Sequence, residues 1–147
     1  MDDAPAQSPG GEAARLPVGE HVVELEPPDI CVVRLRGDLG GGEVSLVMDV
    51  FERFTVGRAR AFLLIDIACM GQVSPEARRI SGQRQLPPAY AGLALFGGTF
   101  QQQVVAKVTT TAGWLLRGRA LGKPRPVCVG GEREARAWAA AQRGRGR

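Results

Sequence analysis

Ser74 stands first among the residues whose type and spacing offer chemistry. It heads the run Ser74-Pro75-Glu76-Ala77-Arg78-Arg79. Serine before proline and glutamate is a strong helix start: the hydroxyl accepts a free backbone N–H, proline suits the first turn, and glutamate opposes the positive helix end. The same hydroxyl, facing that helix end beside Arg78 and Arg79, is also a possible phosphoacceptor. Asp66 closes the apolar run Ala61-Phe62-Leu63-Leu64-Ile65-Asp66-Ile67, and strand ends are where open α/β sheets place ligands. Its other reading is a carboxylate that orders nearby backbone. Together Ser74, Asp66, Glu76, Arg78 and Arg79 form the expected partner-binding set. A second set, Phe100, Trp114, Leu115 and Leu116, offers the wall of an apolar pocket beneath a helix.

Catalytic chemistry is not readable. His21 is the only histidine and falls at the edge of the N-terminal arm, so no positioned imidazole for nucleophile activation is evident. One histidine and three scattered cysteines, Cys31, Cys69 and Cys128, make no zinc spacing. Neither a GxxxxGK[ST] loop nor a GxGxxG fingerprint occurs. The expectation is therefore a non-enzymatic protein with no cofactor and no metal. Gly40-Gly41-Gly42 and Gly97-Gly98-Thr99 precede helices and read as tight turns or as weak anion cradles.

Positioning these residues requires an α/β domain. The 147 residues suit one domain, with 44% hydrophobic and 23% charged residues. Residues 1–19, rich in Pro, Ala, Gly and acidic residues, read as a disordered arm. Residues 20–142 read as the folded domain, and 143–147 as a basic flexible tail. Within the domain, His21 to Glu26 alternates, Pro27-Pro28-Asp29 turns, and Ile30 to Arg36 is a second strand, which makes a hairpin. A helix follows with Val44, Val47, Met48, Phe51 and Phe54 on one face. The strand at residues 61–67, the helix from Ser74, a strand at 91–96, a helix from Thr99, a strand at 126–129 and a helix from Glu132 complete the order ββαβαβαβα. This predicts a mixed, mostly parallel five-stranded sheet with four helices.

Net charge is +4, distributed unevenly. Up to Val33 seven acidic residues face Arg15 alone, and from Gly113 onward nine basic residues face Glu132 and Glu134. This reads as a solvated surface with a polar tail, and a nucleic-acid partner is not expected. No apolar run approaches the ~20 residues of a membrane span. The acidic start lacks the pattern of a secretory signal, and the odd cysteine count has apolar neighbours. Both point to reduced core cysteines in a cytoplasmic protein.

Three segments resemble the STAS superfamily, which includes anti-sigma factor antagonists. Val32-Val33-Arg34-Leu35-Arg36-Gly37-Asp38-Leu39 looks like the family's second strand ending in Gly-x-Leu. Phe62-Leu63-Leu64-Ile65-Asp66-Ile67 looks like its third strand. Glu132 to Trp138 resembles the last helix of stand-alone bacterial SpoIIAA-like proteins. The resemblance implies a regulatory signalling module that binds a protein partner. It also implies a phosphorylated Ser or Thr in an Asp-Ser-Ser-Gly-like segment, but the matching stretch here is Gln72-Val73-Ser74-Pro75-Glu76-Ala77, which lacks that signature. SpoIIAA-like proteins in turn are similar to lipid-binding CRAL-TRIO domains, which implies an alternative: a binder or sensor of a small hydrophobic, lipid-like ligand.

Overall fold

A computed structural model describes residues 13–145. Six strands form one sheet in sequence order: β1 (Ala14–Val18), β2 (His21–Glu26), β3 (Ile30–Leu39), β4 (Ala61–Val73), β5 (Tyr90–Phe96) and β6 (Val127–Val129). The first two pairings are antiparallel and the remaining three parallel. The helices are α1 (Gly41–Thr55), α2 (Pro75–Gln83), α3 (Phe100–Gly113) and α4 (Glu132–Arg145).

Strand periodicity sorts the side chains into two cores. On one face Val33, Leu35, Ile67, Leu93 and Leu95 pack with Val44, Phe51 and Phe54 of α1, Ala77 of α2 and Ala106 of α3. On the other, Val32, Phe62, Leu64, Ala94 and Phe96 pack with Ala135 and Ala139 of α4. Three helices thus cover one face and α4 alone covers the other. Gly92 makes that second approach possible. It has φ +151°, and a Cβ there would lie 2.8 Å from the Trp138 ring.

Five strands become six because Ala14–Val18, expected within a disordered arm, pairs in register with β2 (Ala14 opposite Leu25, Val18 opposite His21). Four of its five residues are exposed, so the strand carries no apolar signature; backbone pairing holds it. The first twelve residues of the arm lie outside the described residues. At the other end α4 runs through the expected tail to Arg145. The Arg143 guanidinium bonds both oxygens of buried Asp29, at 2.7 and 2.8 Å, which fixes the last turn against the β2–β3 turn. Arg147 lies outside the described residues.

Candidate functional site

The predicted partner-binding set does not assemble into one site. Ser74 is the N-cap of α2, its hydroxyl accepting the Ala77 N–H at 3.0 Å. Glu76, Arg78 and Arg79 stand exposed on the same short helix, with Glu76 and Arg79 3.8 Å apart. Asp66 belongs elsewhere. β4 is thirteen residues long rather than seven, so Asp66 sits within a strand and eight residues before Ser74, about 26 Å of extended chain. It also points to the opposite face, in the same parity as Phe62 and Leu64. The extension was invisible because residues 68–73 follow β3 through two register shifts, with only Met70 and Val73 buried.

On its own face Asp66 joins a lattice of ion pairs between sheet and α4. One Asp66 oxygen accepts from Arg34 at 3.2 Å, the other from the Ala68 N–H at 3.0 Å. Arg34 also donates to Glu24 and to Glu132, with pairs of bonds between 3.0 and 3.2 Å. Arg136 spans Glu132 and Glu26, at 2.9 and 2.7 Å. Hydrogen bonds from Arg136 hold the Glu26 carboxyl below its ordinary value, and those from Arg34 do the same for Glu132. Every member faces an opposite charge. The lattice docks α4, and Asp66 is one of its anchors.

The remaining single residues are structural too. His21, expected at the margin of a disordered arm, is fully buried. Its Nδ1 accepts the Arg36 N–H at 2.9 Å, and Nε2 lies 3.1 Å from the Asp38 carbonyl oxygen, which fixes the Nε2–H tautomer. Neither glycine turn is an open anion cradle. Glu43 accepts the Gly40 N–H at 2.9 Å and fills the start of α1, while Thr99 and Gln102 cap α3 reciprocally. Of the cysteines, Cys31 is buried, its thiol pushed up to about 12 by desolvation; Cys128 is half-buried. Cys69 is exposed, contrary to its expected place in the core, because it lies on the extension of β4. Among the described residues no cluster of His, Cys, Asp or Glu is placed to hold a metal ion.

The pocket set divides as well. An apolar cavity of about 150 Å³ lies between the sheet and the three-helix layer. Val33, Leu35, Leu63, Ile65 and Leu93 of the sheet form its floor, with Val44, Val47, Met48 and Phe51 of α1 on one side. Leu86 and Pro87 of the α2–β5 connection, and Thr110, Gly113 and Trp114 at the end of α3, form the other walls. Trp114 is therefore a wall residue of this cavity. Phe100, Leu115 and Leu116 are not: they are 81%, 50% and 67% exposed. They belong with Val104 and Val108 to the solvent-facing stripe of α3 and its continuation, while Ala106, Thr110 and Gly113 turn toward the sheet and the cavity. A π turn over Trp114–Gly118 follows α3, in which the Arg119 N–H reaches the Trp114 carbonyl at 2.7 Å. The Trp114 indole N–H donates to the Lys123 carbonyl at 2.7 Å, which fixes the ring.

Sequence reasoning missed most of this cavity. Its helix residues from α1 were legible as an apolar face, but Arg84, Leu86 and Tyr90 lie in or beside a connection. Arg84 ties that connection to α1. It donates to the Ser45 carbonyl at 3.0 Å and pairs with Asp49 and, at 3.4 Å, with Glu52. Tyr90 packs edge-on against Phe51, ring centroids 6.3 Å apart, and is only 4% exposed. Burial pushes its phenol well above the ordinary range.

A second surface feature is the outer face of α2, α3 and the π turn. Of nine exposed large apolar residues among the described residues, Phe100, Val104, Val108, Leu115, Leu116 and Leu121 lie on this stretch. From Ala77 to Gly131 there is no acidic residue, against eight basic ones. The stretch is thus apolar and rich in basic residues, with exposed Glu76 at the head of α2 paired to Arg79. No helix among the described residues is long and apolar enough to cross a membrane.

No protein-family model matches the chain. No curated protein shows significant sequence similarity to it. Among solved structures it is similar to an uncharacterized protein of the DUF3478 family with a SpoIIAA-like fold from Shewanella loihica PV-4. The match has a TM-score of 0.51 at 15% identity, covering 92% of this chain and 98% of that one. The chain therefore has the SpoIIAA-like fold, as the resemblance in its strands implied, with six strands in place of five.

Proposed function

We propose that this chain is a non-enzymatic binding module whose ligand is a small, mainly apolar molecule held between the sheet and helices α1, α2 and α3. The carrying observation is the 150 Å³ cavity. Close-packed interiors have few voids larger than a water molecule, and an apolar cavity of roughly this size admits a benzene-sized guest. The two charged residues among the described lining, Arg84 and Glu52, face each other, so the space available to a guest is mainly hydrocarbon. Native mass spectrometry of the full chain from its own cell tests the reading, with extraction and identification of any bound small molecule. A bound hydrophobic compound, absent from Val47→Phe protein whose cavity is filled, is the expected result. An apo mass in both proteins overturns it.

A second reading, a regulatory module that binds a protein partner in the cytoplasm, is supported by the apolar outer face rich in basic residues. Arg78 and Arg79 are exposed on α2, which packs against α3, and would extend this face; Asp66 does not. Its partner would be a protein with an acidic, partly apolar surface. In that case Leu116→Ser together with Arg78→Glu abolishes binding to the partner, while Val47→Phe leaves it intact. Phosphorylation of Ser74 would add charge beside Arg78 and Arg79 and would tune the same contact. Intact mass of native protein tests that modification.

A further inference from the structure

Among the described lining residues, one buried side-chain polar group is left unanswered. Thr110 donates its hydroxyl proton within α3, to the Ala106 carbonyl at 3.0 Å. Trp114 donates to Lys123, Arg84 is paired, and Gln85 is exposed to solvent. The Tyr90 hydroxyl alone makes no hydrogen bond to another described residue, although its side chain is buried and lines the cavity. A buried hydroxyl without a partner is costly and uncommon, and its occurrence asks what it is kept for. Phenylalanine would supply the same ring against Phe51 without that cost.

We infer that Tyr90 selects the ligand: its hydroxyl donates a hydrogen bond to a neutral oxygen on an otherwise hydrocarbon guest. This rests on the reading of the cavity as a ligand site. The ligand class follows from the surroundings. The guest is mainly hydrocarbon because the floor and the α1 wall are aliphatic and aromatic. It is neutral because the only cation among the described lining residues, Arg84, is already committed to Asp49 and Glu52. An unpaired carboxylate would lose its hydration with no cation to replace it. A ketone, ether or ester oxygen meets the requirement, since it accepts the phenol proton and brings no donor that the cavity must satisfy.

The test titrates the full chain with cyclohexanone and with methylcyclohexane, similar in size and differing in one carbonyl, and follows amide resonances by NMR. In the unsubstituted protein both probes shift resonances of cavity-lining residues. In Tyr90→Phe the ketone weakens by about tenfold, the loss expected when a buried carbonyl is left unpaired. The hydrocarbon binds the variant at least as well. Thermal unfolding supplies a second readout: Tyr90→Phe melts at the same temperature or higher, because it removes an unpaired group. An unchanged ketone affinity in the variant overturns the inference and leaves the cavity reading standing; a hydroxyl satisfied by resident water alone gives that result. A melting temperature several degrees lower also overturns it, by revealing a protein partner for the hydroxyl. If neither probe shifts lining resonances in the unsubstituted protein, the cavity reading falls and this inference with it.

Discussion

The two faces of the sheet are built to different standards. Beneath α4, small residues let the helix approach closely, and the ends of the interface are bolted by Arg34, Arg136 and Arg143 to five carboxylates. Beneath α1, α2 and α3 the side chains are larger, yet a void remains among them. The contrast teaches where function is to be sought. A face that small residues and ion pairs close against one helix is structural, whatever its charges; a face that keeps an apolar void has room for a guest. Asp66, the one charged candidate within the sheet, lies on the structural face.

Breaking the tight face should have the largest effect. Phe62 is buried and meets Trp138 edge-on at 5.9 Å between ring centroids. Phe62→Ala should destabilise by about 3–5 kcal/mol in chemical denaturation. Next comes the ionic hub. Arg34→Met leaves Glu24, Asp66 and Glu132 without their shared cation and should cost about 2 kcal/mol, less than a fully buried pair because these groups retain some solvent.

The packing contrast itself is tested by a matched pair of enlargements. Ala139→Leu, against the sheet under α4, should cost about 1–3 kcal/mol by overpacking. Val47→Leu, into the cavity, should be neutral or stabilising by up to about 1 kcal/mol. Equal penalties at both sites would show that the faces do not differ. Ser74→Ala should cost about 1 kcal/mol, the loss of a helix cap.

The smallest effect is on pH dependence. Glu26 and Glu132 have lowered values in the fold, so their contribution is complete above the ordinary carboxylate value of 4.5 and is lost as pH falls through the folded values. Acid titration of stability should therefore be shallower in Arg136→Met than in the parent, and the difference should shrink in high salt.

Much of the fold was legible because it rests on local pattern. The apolar run at residues 61–67, the Ser74-Pro75 helix start and the apolar face of α1 each announce their element through period or capping. β1 and the second half of β4 were not legible. Their exposed residues lack alternation, and only pairing with β2 and β3 makes them strands. The candidate site was legible in part. Trp114 and the α1 face line the cavity, whereas Phe100, Leu115 and Leu116 do not, because the apolar stripe of α3 faces solvent and periodicity alone does not say which face a helix turns inward. Tyr90 gave no signal, since a tyrosine at a strand start is ordinary until its hydroxyl is seen to lack a partner.

The sequence by itself determined the strand and helix order from His21 onward, the SpoIIAA-like resemblance and the lack of readable catalytic spacing, for these depend on neighbours along the chain. Only the tertiary structure decided what Asp66 and His21 do, where α4 ends and which apolar side chains enclose a void. Those are questions of which distant residues meet. A carboxylate is an anchor when an arginine from another strand reaches it, and an apolar stripe is a pocket wall only when the turn of its helix carries it inward.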